Sequence, residues 1–338
     1  MNVLSLFDGM SCGMIALERV GITVSNYFAS EIDKYAIKVS EKNYPDIIRL
    51  GDVTKVTYKE GVLYSENGQW NVGKIDLVLA GSPCQGFSIA GKQLAFEDER
   101  SKLYFEFERI IEEVKPTYFL LENVRMKQEF SDIVSERLGV KPIAINSNLV
   151  SAQNRLRLYW TNIPNVQQPD DKGKTLETIL LDKELLPDSI SVSVKGVEYM
   201  DREVSGGRTH WDFSHHSDSD SQKSMCLSAN MMKGVPYNVL IDRRGNKCHM
   251  EDCDFQDDID VCKSCTDSYQ SKYVPTKTIR RFHPIECERL QTVPDNYTSC
   301  VSDTQRYKML GNGWTVDVIA HILQNLNEVR NYLGDMNK

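Results

Sequence analysis

Apolar residues in the first half of the chain come in short runs that alternate with stretches of helical spacing. Val3–Phe7 is a β-rich run followed by the turn Asp8-Gly9, and Gly13–Val20 then places Met14 and Leu17 on one helical face, with Gly21 as its stop. Tyr27–Ser30, Ile47–Leu50, Ile75–Ala80 and Tyr118–Leu121 are further strand candidates. Leu103–Val114 has helical spacing and stops ahead of Pro116. Ile143–Val150 and Leu156–Thr161 read as a closing pair at the far edge. Strands separated by helical segments predict an α/β domain built on a largely parallel sheet.

The regular pattern is lost near Pro164. From there to about Thr278 the chain is polar and turn-rich, with Gly206-Gly207, the run His215–Gln222 and an acidic stretch from Glu251 to Asp260. Such a segment predicts a small, loop-rich second domain. Helical patterns return at Pro284–Leu290 and at Thr315–Tyr332, where Val316, Ile319, Ala320, Leu323 and Leu326 share a face. The expected division is therefore 1–163, 164–278 and 279–338.

Composition changes this picture little. Hydrophobic residues make up 41% and charged residues 26% of 338, an ordinary globular balance. A formal net charge of −8 argues against nucleic-acid contact over the whole surface and leaves room for a local basic cleft. Met1–Leu6 lacks a basic leader and no apolar run reaches bilayer length, so a cytoplasmic protein without a membrane partner is expected. Nine cysteines then read as thiols, metal ligands or a nucleophile before disulfides.

Five clusters could carry chemistry. Phe7-Asp8-Gly9-Met10-Ser11-Cys12-Gly13 follows a strand and opens a helix, where glycines admit a ligand to the backbone. Its spacing is not the dinucleotide fingerprint. Glu31 and Asp52 end the next two strands and could meet a ligand there, or simply cap helices. Gly81-Ser82-Pro83-Cys84-Gln85 puts a cysteine beyond a strand end, either an activated thiolate or a small buried hydrophobe. Leu121-Glu122-Asn123-Val124 places a glutamate at a neighbouring strand end, with a solvated helix cap as the alternative. Gln153-Asn154-Arg155-Leu156-Arg157 projects two arginines from one face of a strand, for anion binding or surface pairing. Leu310-Gly311-Asn312-Gly313-Trp314 is a turn opening the last helix.

Taken in this order, the clusters resemble the cytosine-C5 DNA methyltransferase family over about residues 1–163 and 278–333. The Gly-Ser-Pro-Cys form and Asp8-Gly9 are similar to the branch that includes the animal de novo enzymes. The resemblance implies a Rossmann-like S-adenosylmethionine-dependent methyltransferase fold with a smaller target-recognition domain. It implies an S-adenosylmethionine site made by Phe7 (stacked on adenine), Asp8, Gly9, Gly13, Glu31 (ribose), Ile32, Asp52 (adenine amine), Val53, Pro83, Asn312 and Trp314. It assigns the attack on cytosine C6 to Cys84, the hold on N3 and the exocyclic amine to Glu122, and base orientation to Arg155 with support from Arg157. Gln85, Ser88 and Arg100, in the loop after the cysteine, would contact double-stranded DNA, as would Arg243 and Arg244 of the recognition domain. A monomer is expected. A tRNA cytosine methyltransferase and a catalytically silent DNA-binding relative are the competing readings, and the long insertion 164–278 favours DNA.

That insertion also contains Cys248, Cys253, Cys262 and Cys265, spaced C-x4-C-x8-C-x2-C. Four thiolates in a loop-rich segment can hold structural zinc, although only Cys262-Lys263-Ser264-Cys265 has the usual ligand spacing. If they do, purified protein carries close to one equivalent of zinc by elemental analysis, and chelation loosens the recognition domain before the cofactor domain. Metal-free protein with full sequence-specific activity rules the zinc site out.

Overall fold

Val3, Leu4 and Leu6 are wholly buried because β1 (Asn2–Leu6) runs along the middle of a sheet covered on both faces. The computed structural model describes residues 1–82, 102–213, 216–219, 221–233, 239–242, 244 and 279–336. After β1 come β2 (Asn26–Ser30) and β3 (Ile48–Gly51). A three-stranded meander, β4 (Thr57–Lys59), β5 (Val62–Ser65) and β6 (Gly68–Asn71), follows. The remaining large strands are β7 (Leu77–Gly81), β8 (Tyr118–Val124), β9 (Ile143–Asn146) and β10 (Leu156–Thr161). The main sheet has the order β3-β2-β1-β7-β8-β10-β9. All its neighbours are parallel except β10, which is antiparallel to both β8 and β9.

Alternation along the strands divides the core between two faces. Val3, Leu77, Leu79 and Leu120 pack with Ile15 and Leu17 of helix α1 (Cys12–Arg19) and with Ile319 and Leu323. Leu4, Leu6, Val78, Ala80 and Leu121 face the other way, against Phe107 and Ile110 of a later helix and against Val134. Helix α2 (Lys34–Asn43) starts where the Asp33 carboxylate accepts from the main-chain N–H groups of Tyr35 and Ala36. The expected helix over Leu103–Val114 is α3 (Lys102–Val114), and α4 (Gln128–Leu138) follows β8.

The expected strand Ile143–Val150 stops at Asn146. There the side-chain carbonyl accepts from the main-chain N–H groups of Asn148 and Arg155, and a 3-10 turn, Ser147–Leu149, takes over. The described residues between 164 and 278 form short elements. His216–Asp218, Val239–Ile241 and Ile279–Arg281 make a three-stranded sheet, and Val192, Val197, Met200, Val239 and Ile279 a small core. Arg280 ties this sheet to the next helix, Pro284–Leu290, through ion pairs to Asp242 (2.8 Å) and Glu286 (2.7 Å), two carboxylates with no exposed surface.

The C-terminal helices return to the first domain. Val316–Met336 packs on α1, with an Arg19–Asp317 ion pair, and Asn327 donates to the Val20 carbonyl at 2.7 Å. Its predecessor, Asp303–Asn312, lies against residues 229–233. The approach is so close that a Cβ at Gly311 would lie 2.2 Å from the carbonyl carbon of Ser228. Gly311→Ala should therefore destabilise the protein by about 1–3 kcal/mol or more, the usual cost of overpacking a rigid contact. A melting temperature unchanged from wild type would show that residues 228–229 are not seated on this helix.

Candidate active site

In a sheet wound this way, ligands collect beyond the carboxyl ends of the strands, where chain order reverses. β1 and β7 are neighbours across that reversal, and their carboxyl ends open into a cavity of about 350 Å³. One half is lined by Phe7, Asp8, Gly9, Cys12, Glu31 and Asp33. The other is lined by Gly81, Ser82, Glu122, Asn123, Arg155 and Arg157, and residues from Gln305 to Trp314 cover both.

The loop after β1 holds a demanding shape. Phe7 and Ser11 have left-handed backbone, with φ of 57° and 64°, as does Gly9 at 59°. Non-glycine residues adopt this conformation only when surroundings impose it. Here the brace is Asp8, whose two oxygens accept from the Ser11 hydroxyl (2.5 Å) and the Tyr27 hydroxyl (2.7 Å), while Ser11 also meets Ser40 at 2.6 Å. Burial pushes the Asp8 carboxyl above its ordinary value, against the pull of these hydroxyls. Burial likewise raises the Cys12 thiol to about 12, which makes it a packing residue at neutral pH.

Glu31 reaches the same loop. One oxygen accepts from the Gly9 N–H at 2.8 Å, and the other from the Ile32 and Asp33 N–H groups, both at 2.8 Å. Asp33 pairs with Lys308 across the mouth at 2.8 Å. Burial would raise the Asp33 carboxyl, but the Lys308 ammonium and the helix N–H groups bring it below the usual range. Four other expected cofactor residues are not among those lining this cavity. Asp52 accepts from the N–H and hydroxyl of Thr54, capping a 3-10 turn. Val53 is buried in the core, and Gly13 lies behind the cavity, where a Cβ would touch Leu79 and Tyr27 at 2.7 Å. Ile32 stands 75% exposed next to Glu31. Pro83 falls outside the described residues, as do Cys84, Gln85, Ser88, Arg100, Arg243 and the four cysteines of the zinc expectation.

The second half is built from strand register. Gly81 of β7 lies opposite Glu122 of β8, and Tyr159 of β10 is opposite Glu122 on its other side. Asn123 donates to the Ser82 hydroxyl at 3.0 Å, tying the root of the Pro83-Cys84 segment to the glutamate strand. Glu122 is only 8% exposed, so the solvated-cap alternative does not apply. Arg157 Nε meets Glu122 Oε1 at 3.1 Å, and Trp314 Nε1 donates to Oε2 at 3.1 Å.

Arg155 is engaged differently. It donates to the carbonyls of Leu227 (3.0 Å), Gly311 (3.2 Å) and Gly313 (2.9 Å) and to Cys226 Sγ at 3.5 Å. Burial, then the neighbouring Arg157, pushes its guanidinium below the ordinary value. Gln153 is equally enclosed, donating to the Leu290 carbonyl and the Gln291 side chain and accepting from the Leu227 N–H. Asn312 and Trp314 line the cavity. Sequence reasoning missed Lys308, Gln305 and the Trp314–Glu122 bond. No local pattern announces a partner 275 or 192 positions away. Arg244 is paired with Asp242 at 2.9 Å.

Sheet order and cavity together define a Rossmann-like methyltransferase. The structure is similar to that of Entamoeba histolytica methyltransferase EhMeth, with a TM-score of 0.72 at 16% identity over 97% of this chain and 98% of that one. It is also similar to the Dnmt2 methyltransferase of S. pombe, with a TM-score of 0.64 at 17% identity over 97% and 99%. The family model of C-5 cytosine-specific DNA methylases matches residues 1–328, and the chain belongs to that family. Type II methyltransferase M.HhaI of Haemophilus parahaemolyticus is 27% identical, over 98% of this chain and 96% of its own. Type II methyltransferase M1.ScrFI of Lactococcus lactis subsp. cremoris is 29% identical, over 97% and 78%. Among the described residues no helix is long and apolar enough to cross a membrane, and no group of three metal-ligating side chains is present.

A cavity with an acid held at one end and glycine-rich backbone beside it suits a nucleoside with a charged tail. Glu31→Ala should weaken S-adenosylhomocysteine binding by about 1–3 kcal/mol in titration calorimetry, the cost of a lost buried hydrogen bond. Asp52→Ala should cost less, because Asp52 is not among the residues lining the cavity, although Thr54 engages only its Oδ1. Equal losses from both would place Asp52 on the ligand after all.

Proposed function

We propose that the protein methylates C5 of a flipped-out cytosine in a specific double-stranded DNA sequence, through a covalent bond between Cys84 and C6. The observation that supports this best is the pairing of Gly81 with Glu122. It sets the root of the Pro83-Cys84 segment beside a buried carboxylate, in the wall of the cavity that Gly9 and Glu31 share. S-adenosylmethionine, when bound along Phe7, Gly9 and Glu31, supplies an electrophilic methyl group.

Cytosine C5 is a poor nucleophile, so the chain's part is to activate the ring. The Cys84 thiolate adds to C6, and the C5–C6 π electrons become available at C5. Glu122 holds N3 and the exocyclic amine and favours proton transfer to N3 as charge moves into the ring. C5 takes the methyl group, loses its proton to a base, and the ring expels the thiolate. A stacked base cannot reach these groups, hence the flip. Arg157 holds Glu122, and Arg155 fixes the walls around it. Residues 164–278 read the DNA site, residues 279–338 complete the catalytic domain, and the enzyme works as a cytoplasmic monomer. The four cysteines of the insertion would hold its zinc.

Cys84→Ser should abolish methyl incorporation into duplex DNA while leaving S-adenosylhomocysteine affinity near wild type. DNA containing 5-fluorocytosine should form a covalent complex with the wild-type protein, because fluorine cannot leave C5 as a proton does. Methylation of that DNA's normal counterpart without any trapped complex would remove Cys84 from this role, and incorporation confined to tRNA would replace the substrate.

A further inference from the structure

Trp314 entered the sequence reading as a cofactor contact, yet its indole N–H is directed at Glu122. Nε1 donates to Oε2 at 3.1 Å, while Arg157 Nε takes Oε1 at 3.1 Å. The carboxylate is thus held at both oxygens by donors from two separate parts of the chain. Each oxygen keeps a further acceptor site, one for the exocyclic N–H of cytosine and one for the proton that N3 shares as the ring is activated.

The indole has a prepared seat. A Cβ at Gly81 would fall 2.7 Å from Nε1 and 3.1 Å from Cε2, so only glycine lets the ring lie over the end of β7. A Cβ at Gly13 would lie 3.6 Å from Cζ3, which makes the first turn of α1 the other side of the slot. The next residue, Thr315, is wholly engaged with Ser147 and Gln291, so the turn carrying the indole is fixed from behind.

We propose that Trp314 is a positioning residue for the methylation reaction, setting the rotamer of Glu122 so that its free acceptor sites meet the cytosine. The proposal rests on the reading of Glu122 as the group that holds the base. It separates the indole N–H, which acts on the base half, from the ring surface, which lines the cofactor half. A glutamate with one donor removed can swing about the remaining Arg157 contact, and ring activation falls while donor binding persists.

Trp314→Phe keeps an aromatic ring in the slot and removes the N–H. The readouts are tritiated-methyl transfer from S-adenosylmethionine into unmethylated bacterial genomic DNA and, without donor, exchange of the C5 hydrogen of that DNA with solvent. Exchange reports addition at C6 alone. We expect kcat and exchange to fall together by about tenfold, with KM for S-adenosylmethionine and affinity for S-adenosylhomocysteine within about twofold of wild type. Gly81→Ala, which displaces the indole without removing it, should change both readouts in the same direction and supplies the test if the phenylalanine variant does not fold. Full exchange and turnover in Trp314→Phe, or a loss confined to cofactor affinity, overturns the proposal. Glu122→Gln separates the two readings: if it too keeps exchange, the role of Glu122 fails, and if it alone loses exchange, only the role of Trp314 does.

Discussion

One buried guanidinium joins three separate parts of the chain at a single point. Arg155 immediately precedes β10 and donates to the main-chain carbonyls of Leu227, within residues 164–278, and of Gly311 and Gly313 in the C-terminal turn. Removing such a charge from water is costly unless each donor finds a partner. Here the partners are neutral carbonyls whose own hydrogen-bonding needs are met by the same contact. A lysine could not serve, because a point charge lacks the planar fork that reaches carbonyls on separate segments at once. The walls of the cavity are therefore set from one side chain outward, and Glu122, Trp314 and Arg157 inherit their places from it.

Much of the fold was legible because its information is local. β10 has the bounds its apolar run predicts, and α3 differs by one residue at its start, since apolar spacing and Pro116 mark its end. The meander β4–β6 was missed because its strands have three or four residues each and bury little; Leu63 is its one wholly buried side chain. Helix α2 was missed for a similar reason: only Ala36, Val39 and Ser40 are buried in it, too few to mark a helical face.

The site was legible as a set of motifs but not as a division of labour. Glu31 and Asp52 looked equivalent, each an acid at a strand end. Three main-chain N–H groups turn Glu31 toward the Gly9 loop, whereas Thr54 and Glu66 settle Asp52 into a turn. Arg155 and Arg157 likewise looked like a matched pair. Two residues of strand separate a side chain enclosed by backbone from one that pairs with a carboxylate. Such distinctions depend on contacts made across more than a hundred residues, which spacing does not encode.

The return of the final helices to α1 has a bearing on how the protein is made. Phe7, Gly9 and Glu31 are translated long before Lys308 and Trp314, which close the same cavity. A nascent chain can form the parallel strands β1 to β3 but has no finished pocket, and long-range closure of this kind is slow compared with local folding. The cavity is thus complete only once the turn carrying Trp314 has been made, and a polypeptide that stops before that turn lacks one of its walls.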